Sequence, residues 1–403
     1  MPPTMVRDPA SAALSRDEDF SLVLGGPLYQ LLRRVHLSDG ALGLVHRRIL
    51  FVTLITWAPL LAFSAMQGGL LGPGRTMPLL DDIGLHLRFL VAAPLLILGE
   101  VVVHRRMKLI VGQFRVRSLI QPHDEPRYAA ALKEAAKLRN SILAEVLLVA
   151  FVYAAGELFT LHRYLALGRG SWYTSASAGE GLSLAGLWLM FVSLPIFQFL
   201  LLRWYFRLFI WARFLWRVSR LDLDLNVTHP DKAGGVGFLG ASLGAFVPIA
   251  AAHGVLFAGV MANRIFYAGA RLTEFKVEVL GGAVLLVIVF AGPLAVFVPI
   301  LARVKLRGLG EYGALGQSYV REFRQKWIGG TAPADEPLIG SGDIQSLADL
   351  GNSYAGAQQM RLAPLGLMAV VFFVAAFLAP MAPLLLTMMS VEKLIGSLVG
   401  MVL

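Results

Sequence analysis

Asn226, Thr228, His229, Asp231 and Lys232 stand together in the loop NVTHPDKAGG, which closes on Gly234 and Gly235 just before a long apolar run. A histidine and a lysine beside the free N–H groups that open a helix are what a phosphate or carboxylate needs. His229, Asp231, Lys232, Gly234 and Gly235 therefore form a candidate site for an anionic ligand. The same residues also suit a plain turn, in which Pro230 and the glycines set the backbone and Asp231 or Thr228 accepts from exposed N–H groups. Catalysis would need a partner base that the sequence does not identify, so no catalytic residue is assigned.

A second set of chemically able residues lies inside apolar runs: Glu100, Glu145, Glu157 and His253. Ionisable groups are costly in lipid and normally face a bundle interior or water. Glu145 and Glu157 are separated by about 18 Å of rise and about 120° of turn on a helix, so they are not an adjacent carboxylate pair. Glu145 lies close to its helix end and could reach the membrane surface by snorkelling. His253 is deeper, either as a neutral ring bonded to a neighbouring helix or as a proton carrier.

Other motifs fail on context. Gly240, Ser242 and Gly244 match a nucleophile elbow, and Gly235, Gly237 and Gly240 match a dinucleotide fingerprint, but neither follows a strand. Gly237, Ala241 and Ala245 instead suit a small-residue face for close helix packing. The tetrad His229 to Lys232 resembles the loop of J-domain co-chaperones, yet an apolar run follows at once and leaves no room for the rest of that domain. No two histidines share a helix turn and the chain has no cysteine, so no metal site is expected.

The elements that must position these groups are membrane helices. Seven apolar runs, residues 49–70, 85–103, 142–161, 182–202, 239–262, 279–301 and 362–383, each have the roughly 20 residues needed to span a bilayer. Of the 36 basic residues, 28 fall on one set of alternate loops, which predicts a cytoplasmic N-terminus and an external C-terminus. The hydrophobic fraction of 57% and charged fraction of 15% agree with a membrane protein. The net charge of +10 sits beside spans, where anionic lipid attracts it, so headgroups rather than nucleic acid are the expected partner.

The expected architecture is an all-α polytopic membrane helical bundle of seven transmembrane helices with a cytoplasmic layer of helix extensions. Residues 1–25 make a disordered polar tail, 26–48 a cytoplasmic amphipathic segment, and 49–403 the membrane domain with extensions over 104–141, 203–235 and 302–361. Pro126 stands at a helix start, and residues 127–161 form one unbroken helix. Arg203, Arg207, Arg213, Arg217 and Arg220 share an arc of roughly 140°, a basic face for headgroups or for other cytoplasmic helices. Residues 384–403 carry Glu392 and Lys393 midway and are expected to lie along the outer interface rather than span.

The NVTHPDKAGG loop and the segment DIQSLADL at 343–350 are similar to those of a family of uncharacterised bacterial multispanning inner-membrane proteins. That resemblance implies location and class and brings no activity. Pro195, Pro248, Pro293 and Pro380 interrupt spans and favour a channel- or transporter-like assembly. The topology also resembles that of insect chemoreceptor channels, without a shared residue motif. A membrane enzyme or binding protein for a phosphate-bearing lipid or ligand, and a scaffold or sensor, are the alternatives. No cofactor is implied, and a homo-oligomer is compatible.

Overall fold

The computed structural model describes residues 20–27, 29–30, 44–71, 77–156, 171–174 and 181–388. Among these the chain is all-helical. Six helices are long and apolar enough to cross a membrane: α1 (Val45–Met66), α2 (Ile83–Val116), α5 (Leu184–Val218), α6 (Val247–Ala268), α7 (Leu272–Ile328) and α9 (Leu367–Thr387). The expected third span is represented by the shorter α4 (Ile142–Ala154), because the remainder of that run lies outside the described residues. Two further helices, α3 (Glu125–Arg139) and α8 (Gly342–Gln359), belong to the polar extensions. On α7, Val277, Leu280, Val284, Leu285 and Ile288 form an exposed apolar stripe that only lipid would cover without penalty.

Contacts at each end fix how the helices alternate. The N-terminal end of α1, the C-terminal half of α2, the start of α4 and the middle of α5 meet through Arg48, Glu100, Glu145 and Arg203. At the opposite end Asp82 collects Leu85 N–H at 3.0 Å, Asn263 Nδ2 at 2.9 Å and Trp172 Nε1 at 3.3 Å, tying the start of α2 to the end of α6. His86 is fully employed there. Its Nδ1 accepts from Trp57 Nε1 at 2.9 Å, so its Nε2 carries the proton given to Leu79 carbonyl at 3.1 Å.

Prolines shape the spans, and neighbours take the carbonyls they orphan. Proline has no N–H and its ring clashes with the carbonyl four residues back. Pro59 so frees Ile55 C=O, which accepts from Trp188 Nε1 at 3.0 Å; Pro195 frees Phe191 C=O, which accepts from Tyr153 hydroxyl at 3.2 Å. Wider π turns at Arg88–Ala92 and Leu189–Ser193 precede Pro94 and Pro195 by the same spacing. Pro248 opens α6, while Pro293 and Pro380 fall in 3₁₀ turns. All four interrupting prolines named from the sequence thus coincide with departures from regular helix.

Three sequence expectations are corrected. Residues 127–161 are not one helix: α3 ends at Arg139 with Asn140 as its C-cap, and Ser141, extended at ψ 115°, caps α4 by accepting from Ala144 N–H at 3.2 Å. The polar tail does not reach residue 25. Phe20, Leu22 and Val23 are buried, Phe20 packs 5.4 Å from the Phe214 ring, and Ser21 carbonyl accepts from Arg139 at 2.6 Å. Burying three such side chains, at about 1.5–3 kcal/mol each, is of the same size as ordering residues 20–26 at about 1 kcal/mol each. Ala241 does not line the close-packed face, being exposed, whereas Gly240 lies against Pro364 carbonyl and Gly254 against Phe377 carbonyl.

Gly254 accordingly sets the separation of α6 and α9. Gly254→Ala would drive a methyl group into backbone, and we expect a loss of about 2–3 kcal/mol. Gly281→Ala, where nothing lies within 4 Å, should be neutral or stabilising through helix propensity. Thermal unfolding in one detergent compares the two, and equal midpoints would contradict the packing.

Candidate functional site

The most concentrated chemistry in the described bundle is a buried cluster of three arginines and two glutamates at the basic end. Glu100 of α2 is its hub. One carboxylate oxygen takes Arg207 of α5 at 2.7 Å, with Arg203 at 3.7 Å, and the other takes Arg48 of α1. Glu145 of α4 meets Arg203 at 3.3 Å. Every one of the five side chains retains only about a tenth of its exposure or less. The Arg207 guanidinium also lies over the Trp204 ring at 4.6 Å, and Trp204 Nε1 donates to Leu96 carbonyl at 3.0 Å, which fixes the wall behind the cluster.

Such a cluster persists only because its charges compensate. A single buried carboxylate or guanidinium left unpaired would cost several kcal/mol. Here the described members sum to one surplus positive charge. The hub arrangement is built from two similar hairpins: α1 with α2 supplies Arg48 and Glu100, and α4 with α5 supplies Glu145 and Arg203, with the charge order reversed. Each hairpin closes on its own ion pair, and Arg207 joins them.

Of the sequence candidates, Glu100 and Glu145 are thereby brought together, Glu145 turning inward to Arg203 instead of toward the membrane surface. Glu157 lies outside the described residues. His253 is separate: its Nδ1 donates to Ile249 carbonyl at 2.7 Å, leaving Nε2 to accept from Tyr205 hydroxyl at 2.7 Å. Both ring nitrogens are thus occupied in a neutral imidazole. Arg48, Arg203 and Arg207 were missed as site residues because arginines flanking an apolar run look like interfacial anchors. The arc shared by the α5 arginines was the available signal. Its polar continuation packs on α3, where Arg213 and Arg217 both reach Glu134 at 2.5 Å.

The His229 loop is a different kind of structure. Asp231 carboxylate accepts from the N–H groups of Ala233 at 2.8 Å, Gly235 at 3.1 Å and Gly237 at 2.9 Å. The donors that open this segment are therefore taken by the chain's own anion. Burial pushes the Asp231 carboxyl up, but the three N–H groups and nearby His229 outweigh it and hold it below the usual carboxylate range. His229 Nδ1 lies 3.2 Å from Asp231 N and 2.9 Å from Oδ1; it accepts from the first when neutral and donates to the second when protonated. Lys232 adopts φ +55°, Gly234 +67° and Gly235 +99°, the left-handed turn that brings the donors round.

Other chain segments lock onto that turn. Lys232 Nζ donates to Gln359 at 2.7 Å, and Arg361 donates from its backbone N–H to Lys232 carbonyl at 2.7 Å and from Nη2 to Asp231 carbonyl at 2.8 Å. Arg117, at the end of α2, donates to Gly235 carbonyl at 3.1 Å. Since Arg117 stands about 25 Å along the helix from Glu100, the loop and the buried cluster are separate features of the basic end. Among the described residues no group of three potential ligands could hold a metal ion. No family model matches the chain, and no curated protein or solved structure matches it either.

Proposed function

We propose that this chain is a transport-type protein of a bacterial inner membrane, with the Glu100–arginine cluster as the element that handles charge. One observation carries the reading: charged side chains from four different helices converge, buried, at the basic end of the bundle, with Glu100 and Glu145 inside apolar runs. Intramembrane ionisable groups that face a bundle interior are characteristic of ion and substrate pathways. The proline-interrupted α1 and α5 supply elements whose backbone can rearrange without exposing unpaired groups to lipid, because side chains of neighbouring helices already serve the freed carbonyls of Ile55 and Phe191. The Asp231 turn then acts as a clasp between the end of α2, the segment that leads into α6 and the link from α8 to α9, a role its internal hydrogen bonds favour over ligand capture.

Purified protein in voltage-clamped planar bilayers, bathed in potassium chloride or potassium phosphate, tests the reading. Charge movement above that of protein-free bilayers, lost when Arg48, Glu100 and Arg207 are together replaced by methionine and the protein is reconstituted at equal density, is expected. Silence of the wild-type protein in both salts would overturn it.

Orientation follows from the 28 to 8 division of basic residues between the two sets of loops. The N-terminus is cytoplasmic, the C-terminus periplasmic, and the cluster sits on the cytoplasmic side. Reporters fused after Gln67, Gly170 and Tyr267 should therefore score periplasmic, and those after Gln113, Thr228 and Ala334 cytoplasmic. A cytoplasmic score at Gly170 would remove the third crossing.

A further inference from the structure

Arg203 differs from the other two arginines of the cluster. Arg48 and Arg207 each make a hydrogen bond to Glu100, whereas Arg203 is only in ion-pair range of Glu145 at 3.3 Å and Glu100 at 3.7 Å. Among the described residues it makes no side-chain hydrogen bond, although more than nine-tenths of the residue is buried. A guanidinium presents five N–H donors in a planar fork, and leaving them without acceptors in an apolar interior is unfavourable.

The side from which an acceptor could arrive is also defined. Glu145 is the outermost carboxylate of the cluster, at the first turn of α4. Residues 20–26 cross in front of it: Ser21 Oγ lies 2.9 Å from His104 Nδ1, Gly26 N–H donates to Asn140 at 3.0 Å, and Gly26 sits so close that a Cβ there would be 2.9 Å from Glu145 Oε1. This strap is short, and Phe20, Leu22 and Val23 provide its buried apolar contacts. Lifting it would remove the part of the cover that Gly26 lays over Glu145.

We infer that Arg203 is the binding residue for a small freely diffusing oxyanion of the phosphate or sulfate class, that Glu145 is the internal carboxylate it displaces, and that residues 20–26 are the cover over the entry. The fork geometry selects a planar or tetrahedral oxyanion over a halide, since two parallel N–H groups match two oxygens. Glu145 occupies the position as a tethered competitor at ion-pair distance, so an incoming anion restores the compensation that Glu145 gives up. The inference deepens the transport reading by naming a substrate class, but the binding step is measurable without any flux.

The test uses the full chain in nanodiscs of phosphatidylcholine, following thermal unfolding by tryptophan fluorescence with sodium phosphate, sodium sulfate or sodium chloride at matched ionic strength. Stabilisation that saturates with phosphate or sulfate and is absent with chloride is expected. Glu145→Gln removes the competitor and should tighten that binding by about tenfold, the order of effect one nearby charge exerts in a poorly screened site. Arg203→Lys keeps the charge and loses the fork, so its oxyanion preference over chloride should vanish, and deletion of residues 1–26 should speed association without altering the preference. Equal shifts with all three salts would overturn the inference. So would Glu145→Gln binding no tighter than wild type, or stabilisation seen only when phosphatidic acid is added, which would assign the arginine to a lipid headgroup. Should Glu145→Gln fail to fold, the comparison of wild type with Arg203→Lys decides alone. Oxyanion binding without charge movement in bilayers would defeat the transport reading and leave this site standing; charge movement without oxyanion binding would do the reverse.

Discussion

Glu100→Gln should be the most damaging conservative substitution in the described chain, lowering stability by about 3–5 kcal/mol, the cost of leaving buried charges without their partner. Three arginines converge on that one carboxylate, two of them by hydrogen bonds. Glutamine keeps the shape and removes the charge, so Arg48 and Arg207 would face each other across a neutral amide in a medium that screens them poorly. A loss of this size is a large part of the roughly 5–15 kcal/mol that holds a typical protein together. The variant should therefore melt far below wild type in detergent and accumulate poorly in cells. Replacing Arg48, Glu100 and Arg207 together by methionine removes the charges along with their compensation, and should recover much of the melting temperature. That triple variant should carry no charge in bilayers. A Glu100→Gln protein as stable as wild type would mean that water reaches the cluster freely, contrary to its burial.

Asp231→Ala comes next, through a different mechanism. The carboxylate ties three backbone N–H groups that the left-handed turn at Lys232, Gly234 and Gly235 aims at it. Hydrogen bonds to a charged acceptor contribute about 1.5–3 kcal/mol each when buried. This loop is partly open to water, so a total nearer 3 kcal/mol is expected for Asp231→Ala, with Asp231→Asn in between. The pH dependence follows from the depressed carboxyl. A folded-state pKa below the unfolded one gives stability that is complete above the unfolded value of about 3.9 and is lost as pH falls through the folded value. The gap in melting temperature between wild type and Asp231→Asn should therefore be constant at neutral pH and narrow as the solution is acidified below about pH 4. A gap that widens on acidification would mean the carboxyl is neutral in the folded protein.

The class of the molecule was legible in the sequence because it depends on one-dimensional quantities. Run length against bilayer thickness gave the spans, and the described helices reproduce six of the seven, with 142–161 only partly within the described residues. The prolines named as interruptions coincide with irregular turns, since a missing N–H acts wherever the residue stands.

Two other features depended on packing. Asn140 and Ser141 divide a run that is helical by composition, because Asn140 is used by Gly26 from 114 positions away and Ser141 caps the next helix. Residues 20–26 are held in the groove that receives them by the burial of Phe20, Leu22 and Val23 and by the bond from Arg139 to Ser21 carbonyl. The site itself was half visible: Glu100 and Glu145 stood out as carboxylates in apolar runs, while Arg48, Arg203 and Arg207 had the appearance of ordinary helix-end anchors. A buried charge is informative only with its partner, and here the partners are 52 positions apart for Arg48 and 107 for Arg207. The sequence by itself determined that charged residues would border and enter the membrane; the tertiary structure decided which of them leave water together, because the energy of an ion pair depends on the distance and dielectric between side chains, and neither is written along the chain.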